Sequence, residues 1–557
     1  MRKLWNFGLV AAGLAAGALT ACSDHPYDPD GPAIDPSAPS VHITSPARGT
    51  FAGEAATLVV TGTATDDHGV TSVVVNGVDA SVDASGNWTA TIPVAAGTQL
   101  IHAVATDAQG NVGKESRAVE VGPLRPIATA VPRAITAAIS AQTFAAIGRG
   151  VTGFLRAGEL QAVIAPLNPV LDLDGGPDCM YAQASITQLS VGSATSVTMT
   201  PQRGGLALDV ELDRVAIGMH LAYAFACLDG STDVMVTASH IKVTGVLAVG
   251  VTGGGFDIKL TNQNVQITGL VFNLSGVPGD IVKLLHLDTS LGPVLGIVVE
   301  QLVVPALNTA LATLDDNHVV DVLGTPVNVL MKPSRASFDP TGAVIELETT
   351  LRATGDAASP GYVYVSNLAP AMATGRGFQL AVADDAANQL LGSFWAARGL
   401  DKAVDLTTGS YGEIGKLYDR VELSAKVPPF VDASGGALRL TIGDLVATFK
   451  NGASVATQVA VSAEIDVKVV AGAGGAPRLD VGTPTTYVDV LDQGVDGANA
   501  LSNAQFELIT SFALARIISV GSGAIGALPL PAVGGVAVQG LSVAPATGYV
   551  VVAGDVN

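Results

Sequence analysis

From residue 41 to residue 121, apolar and polar positions alternate with a period of two. They fall in short runs between turn signals: Thr57–Thr63, Val70–Val75, Trp88–Ile92, Leu100–Ala105 and Ala118–Val121. The pattern predicts strands with one buried face, closing a β-sandwich over 41–122. Past Gly122-Pro123 the period changes. Ile135, Ile139, Ile147, Val151 and Leu155 share one helical stripe and predict an amphipathic helix over Pro132–Leu155. Strand-like runs follow at Ala184–Leu189, Leu206–Leu212, Val215–Phe225, Val234–Val249, Phe256–Leu260 and Val265–Leu274. A short helix is expected at Asp280–Leu287, then a long one at Leu291–Leu314. The latter is apolar enough to suggest a membrane span. However, Glu300 at its middle and Asn308, Thr309 and Thr313 at its end favour a helix with one buried face.

After Val319–Leu330 the scheme recurs. Strands at Ala343–Leu351 and Tyr362–Val365 precede a helix at Asp384–Arg398, with Asp384 as N-cap and Gly399 past its end. Strands at Val421–Ala425, Ala437–Phe449, Ser454–Val470 and Thr486–Leu491 lead to a second long helix, Asn503–Val520, and to closing strands at Gly535–Val543 and Gly548–Gly554. The expected class is mainly β with long helices (α+β). Its units are the sandwich and two tandem barrels over 127–332 and 333–557, each a curved antiparallel sheet wrapped on a long helix.

Composition narrows the function. The 557 residues are 48% hydrophobic and 14% charged, with a formal net charge of -21. Such a chain can fill large cores, and its surface repels phosphate backbones, so nucleic acid is excluded as a partner. No metal-ligand spacing is found among the eight histidines, and no nucleophile elbow surrounds any serine. Gly521-Ser522-Gly523-Ala524-Ile525-Gly526 fits a dinucleotide-binding string but follows a helix and runs into Leu-Pro-Leu-Pro, so it reads as a helix-ending loop. We expect no catalytic residues, no metal and no cofactor. Asp66, Asp67 and Asp107 either cap turns or gather round a cation, and turn-capping is the stronger reading.

The N-terminus addresses the compartment. Met1-Arg2-Lys3 is basic, Leu9–Leu19 is an apolar core, and Leu19-Thr20-Ala21-Cys22 resembles a bacterial lipobox. The resemblance implies a signal peptide over 1–21 and lipidation of Cys22. Ser23, in place of an Asp, favours the outer membrane, and diacylation would supply the anchor. Residues 22–40, rich in Pro and Asp, form a stalk. In an oxidising envelope the remaining pair, Cys179 and Cys227, is expected to form a disulfide. The acids beside them, Asp172, Asp174, Asp178, Asp229 and Asp233, read as solvated turns rather than a calcium site.

Two further resemblances concern the folded part. Gly62-Thr63-Ala64-Thr65-Asp66-Asp67 and Ala105–Asn111 are similar to the Ig-like modules of bacterial surface proteins, most often spacers or adhesion units. Leu528-Pro529-Leu530-Pro531, Val538–Val543, Gly548–Val556 and the stretch Phe378–Gly399 resemble the bactericidal/permeability-increasing and lipopolysaccharide-binding protein family. That resemblance implies two barrels with elongated apolar cavities holding lipid acyl chains, and no catalytic residues to carry over. The family's basic tip is missing here. A lipid or other hydrophobic molecule is the expected partner, with the membrane reached through the lipid anchor. The residues expected to line the cavities are Ile147, Val298 and Leu302 in the first barrel and Leu391, Trp395, Phe506 and Ile509 in the second. The rival reading is an adhesion or structural protein with fully packed barrels.

Overall fold

A computed structural model describes residues 37–157, 165, 168–174, 181–225, 228–273, 316–322, 324–375, 377–408, 414–433, 438–471, 477–492 and 538–556. Over residues 40–121 the alternating runs fold as a two-sheet sandwich. One sheet orders Ser40–Ser45, Thr57–Thr65, Asn87–Pro93 and Ser81–Val82. The other orders Thr50–Phe51, Val112–Val121, Gly97–Asp107, Val70–Val75 and Val78–Asp79. Ile43, Val60, Trp88, Ile92, Ile101 and Val119 fill the space between them, each at most 1% exposed. Asn76 and Gly77 both take positive φ (47° and 80°), as a two-residue hairpin turn requires.

The rest of the chain is organised by a central sheet of seven strands. In order these are Asp316–Val322, Thr325–Asp339, Gly342–Ala353, Val131–Ser140, Phe378–Ala383, Tyr549–Val556 and Val538–Ala546. Strands from both expected barrels therefore share one sheet. The boundary read between 332 and 333 falls inside the continuous strand Thr325–Asp339. Two further sheets flank the central one. The first runs Leu171–Asp174, Tyr181–Ser190, Gly205–Phe225, Leu228–Thr252 and Gly255–Thr268. The second runs Lys402–Asp405, Arg420–Ala425, Leu438–Asn451, Ser454–Ala471 and Pro477–Val481, with Thr485–Asp492 also paired to Ser454–Ala471.

The expected class is corrected. Described residues are predominantly strand, and their α-helices, Ala141–Ala157, Asp384–Ala396 and Ile414–Leu417, have 17, 13 and 4 residues. Among the described residues the first flanking sheet packs against Ala141–Ala157 and the central sheet. Leu291–Leu314 and Asn503–Val520, read as long helices, lie outside the described residues, as do Asp280–Leu287 and Gly521–Gly526. No described helix is long and apolar enough to cross a membrane.

The helix expected over Pro132–Leu155 begins later. Val131–Ser140 is a strand in the middle of the central sheet, where Ala137 pairs with Ile345 on one side and Leu380 on the other. Its alanines favour helix locally, and two long-range ladders override that preference. The helix starts at Ala141 because the Ser140 hydroxyl accepts the Thr143 amide at 3.2 Å, an N-cap bond. Likewise, Leu206–Leu212 and Val215–Phe225 are one strand, not two. Buried positions switch from even numbers (206, 208, 210, 212) to odd ones (215, 217, 219, 221). The paired strand switches between Ala238 and Ile241, and Arg214 takes φ 45° at the break. The strand keeps its apolar face inward by bending there.

Candidate functional site

The largest core lies between the first flanking sheet, the helix Ala141–Ala157 and the central sheet. Leu206, Leu208, Val210, Ile217, Val236, Val243 and Leu247 line the sheet side, all at most 4% exposed. Phe144 and Ile147 project from the helix at 1% and 3%. Ile147, expected to line a cavity, is thus a packed core residue. At the sheet's margin the packing loosens. Phe256, Ile258, Val265 and Ile267 of the Gly255–Thr268 strand, with Leu270 beyond it, touch this core but stay half-buried. They form an apolar stripe continuous with the buried face.

The helix Asp384–Ala396 is organised differently. Its inward side is polar: Asp384, Asp385, Asn388, Gln389 and Ser393 are buried. Each satisfies backbone from another segment. Asp384 Oδ2 accepts the Ala433 amide at 3.0 Å, and Asp385 Oδ1 accepts the Val365 amide at 2.9 Å. Asn388 accepts from the Val431 amide and donates to the Val431 carbonyl. Gln389 accepts the Leu351 amide and donates to the Ile127 and Thr129 carbonyls. Ser393 Oγ accepts from the Ala353 amide. Burial pushes the Asp384 carboxyl up to about 6 and that of Asp385 up to about 7. Asp384 is the first helical residue rather than the N-cap, which is Ala383. Sequence reading missed this hub. Its signal is present as polar residues at 384, 385, 388, 389 and 393, all on one helical face.

Leu391 and Trp395 lie on the same helix and are half-buried. The Trp395 indole donates to the Ala425 carbonyl at 2.9 Å, and its ring centroid is 5.9 Å from that of Phe51 in the sandwich. Trp395 is therefore an interdomain packing residue. Ile147 belongs to the first core, so the fold does not bring these three together. Val298, Leu302, Phe506 and Ile509 lie outside the described residues, as do Cys22, Cys179 and Cys227. Near the last two, Tyr181 pairs with Ala224 in adjacent strands.

Asp107 caps a turn: its carboxylate accepts from the Gln109 and Asn111 amides and from the Asn111 side chain. The donor atoms of Asp66, Asp67 and His68, not Asp107, lie within 4.8 Å of one another. Asp66 accepts the His68 amide and Asp67 accepts from Ser37, as in an ordinary polar turn. A shallow, open depression of about 540 Å³ lies where the sandwich meets the linker, between Glu54, Val94, Ala96, Val121 and Pro123.

Residues 39–122 match the family described as glucodextranase, domain B, which agrees with the Ig-like reading of that segment. No curated protein matches the chain. Among solved structures the chain is similar to a lipopolysaccharide binding protein, at 12% identity and TM-score 0.38, covering 77% of this chain and 99% of that one. It is also similar to P47 from Clostridium botulinum A2, at 9% identity and TM-score 0.23, covering 76% and 96%. Fibronectin(III)-like modules of Clostridium thermocellum CbhA match at 11% identity and TM-score 0.14, covering 35% and 92%. At these scores the likeness carries no functional argument.

Proposed function

We propose that this chain is a cell-envelope lipoprotein that binds a lipid or another hydrophobic ligand, without catalysis. The observation that carries the proposal is the stripe Phe256, Ile258, Val265, Ile267 and Leu270: apolar surface in continuity with the largest core, left half-buried by the protein itself. A ligand's methylenes laid along such a stripe gain about 0.8 kcal/mol each. The sequence resemblance to lipid-binding proteins adds support, since the two stretches that carry it are neighbours in the central sheet. There Phe378 pairs with Gly554 and Val382 with Val550.

The anchor follows from Leu19-Thr20-Ala21-Cys22, with Cys22 as the acylated residue and the outer membrane as the destination. Loss of radioactive palmitate labelling in Cys22→Ser is the expected result; unchanged labelling would refute the anchor.

The rival reading, a structural protein with closed cores, draws on Ile147 at 3% exposure and on Trp395 held by Ala425 and Phe51. Organic extraction and native mass spectrometry of purified chain lacking residues 1–22 separate the two. Co-purifying lipid, or saturable uptake of a fluorescent fatty acid, is expected; neither would leave the structural reading.

A further inference from the structure

The outer face of the sandwich's five-stranded sheet is buried, although its residues read as a polar and small surface. Thr98, Leu100 and His102 on one strand stand opposite Glu120, Ala118 and Ser116 on the next. Five of them meet the second flanking sheet or its 426–429 loop, and Glu120 is joined to it through Thr98. Leu100 and Ala118 pack on Val427, and His102 stacks on Tyr487 at 3.8 Å between centroids. The Ser116 and Ala118 amides donate to Asp489 and Asp444, at 2.9 and 2.8 Å.

Glu120 is 2% exposed at the edge of this face. The Thr98 hydroxyl lies 2.9 Å from Glu120 Oε2 and 3.0 Å from the Pro428 carbonyl across the interface. A hydroxyl has one proton to give. If Thr98 gives it to Pro428, Glu120 must itself be the donor, and so protonated. If Glu120 is ionised, it takes the Thr98 proton, and the Pro428 carbonyl of a buried residue loses that donor. The protonated chain, Glu120 to Thr98 to Pro428, makes both contacts true hydrogen bonds.

We propose that the docking of the Ig-like domain on the second flanking sheet is a proton-dependent latch, closed by protonated Glu120 through Thr98 and released as that carboxyl ionises.

A cluster of charged groups lies further along the same face, at Ser116 and Ala118. Arg48, Arg117 and His42 face Glu115, Asp444 and Asp489 there. Burial pushes Glu120 up to about 8, against a smaller opposing effect of the Thr98 hydrogen bond. Burial likewise pushes Asp489 up to about 6, and Asp444 upward, against the pull of Arg48. His102, held down at about 4 by burial, opposes this below its ordinary value of 6.5 and contributes nothing above pH 7. A carboxyl with a raised pKa in the docked state stabilises docking below its ordinary pKa and loses that contribution as pH rises through the raised value. The latch is therefore closed in mild acid and weakens as pH rises from the ordinary carboxylate range through about 8.

Hydrogen exchange on the full mature chain tests this, using peptides spanning 112–121 and 57–65 and correcting for intrinsic exchange at each pH. Protection of 112–121 is expected to fall on the order of tenfold from pH 7 to pH 9. Protection of 57–65, inside the sandwich, should hold. Glu120→Gln keeps a donor at all pH and should abolish most of the fall. Equal protection of 112–121 at both pH values in the unaltered chain overturns the proposal. So does a fall that Glu120→Gln leaves in place, or one shared by 57–65, which would mean unfolding of the domain rather than undocking.

Discussion

The Arg48 guanidinium donates to Asp444 Oδ1 at 2.5 Å and to Asp489 Oδ2 at 3.0 Å, joining the sandwich to strands some four hundred residues along the chain. Only 14% of the Arg48 side chain and 1% of the Asp444 side chain are exposed. Removing one partner of such a buried set leaves uncompensated charge, at roughly 3–5 kcal/mol. Arg48→Met should therefore lower stability in urea unfolding by that amount. Arg48→Lys should recover only part of it, because an ammonium cannot reproduce the two-armed contact. A loss below about 1 kcal/mol would mean that water replaces the guanidinium at little cost.

Close approach of the two bodies depends on Gly443. A Cβ there would press on Ala118 Cβ, with Thr98 Cγ2 at 2.8 Å and Val427 Cγ2 at 2.9 Å. Gly443→Val should push the sandwich off its seat without disturbing the sandwich core, where Trp88 and Ile92 lie far from that contact in the register. The expected result is lost hydrogen-exchange protection over 112–121 with protection over 57–65 retained. Wild-type protection in both would mean the interface absorbs the extra atoms.

Asp385 gives a pH dependence with a definite sign. Burial raises its folded pKa to about 7, aided by repulsion from Asp384 and opposed by the Val365 amide and Arg125. Its contribution is present below the ordinary carboxylate range and is lost as pH rises toward 7. Asp385→Asn keeps an acceptor for the Val365 amide and removes the charge. It should leave the melting temperature near that of the unaltered chain at pH 5 and raise it at pH 8. An equal change at both pH values would show that the carboxyl is not raised.

Much of this was legible in the sequence, and the omissions have physical causes. Period-two alternation located the sandwich, since each of its longer strands turns alternate residues into the core between the two sheets. The helix at Asp384–Ala396 and the closing strands were also legible. Val131–Ser140 was not, because the partners that make it a strand, Gly342–Ala353 and Phe378–Ala383, lie some two hundred residues away. Nor was the docking face. Thr98, His102, Ser116 and Glu120 look like the solvent side of a strand, and only the distant Pro428, Tyr487 and Asp489 bury them. The candidate ligand stripe falls between these cases. Phe256, Ile258, Val265 and Ile267 read correctly as strand, while their partial burial depends on the margin of a sheet no local pattern describes.

That stripe gives the most direct test of function. Ile267 pairs with Ile241, which is 1% exposed, but is itself only half-buried. A lysine at 267 can carry its ammonium to solvent along its own stem, so its cost to folding should be small, within about 1 kcal/mol. A ligand lying along the stripe would instead meet a charge it cannot solvate. Ile267→Lys should therefore lose bound lipid, or fluorescent fatty-acid uptake, at least tenfold while melting stays nearly unchanged. Ile147→Lys, in the closed part of the same core, should instead fail to fold or melt far lower, because nothing there can follow the charge to water. If Ile267→Lys retains full uptake, the ligand does not lie on this strand. If it melts as low as Ile147→Lys, the margin is closed core and the structural reading gains.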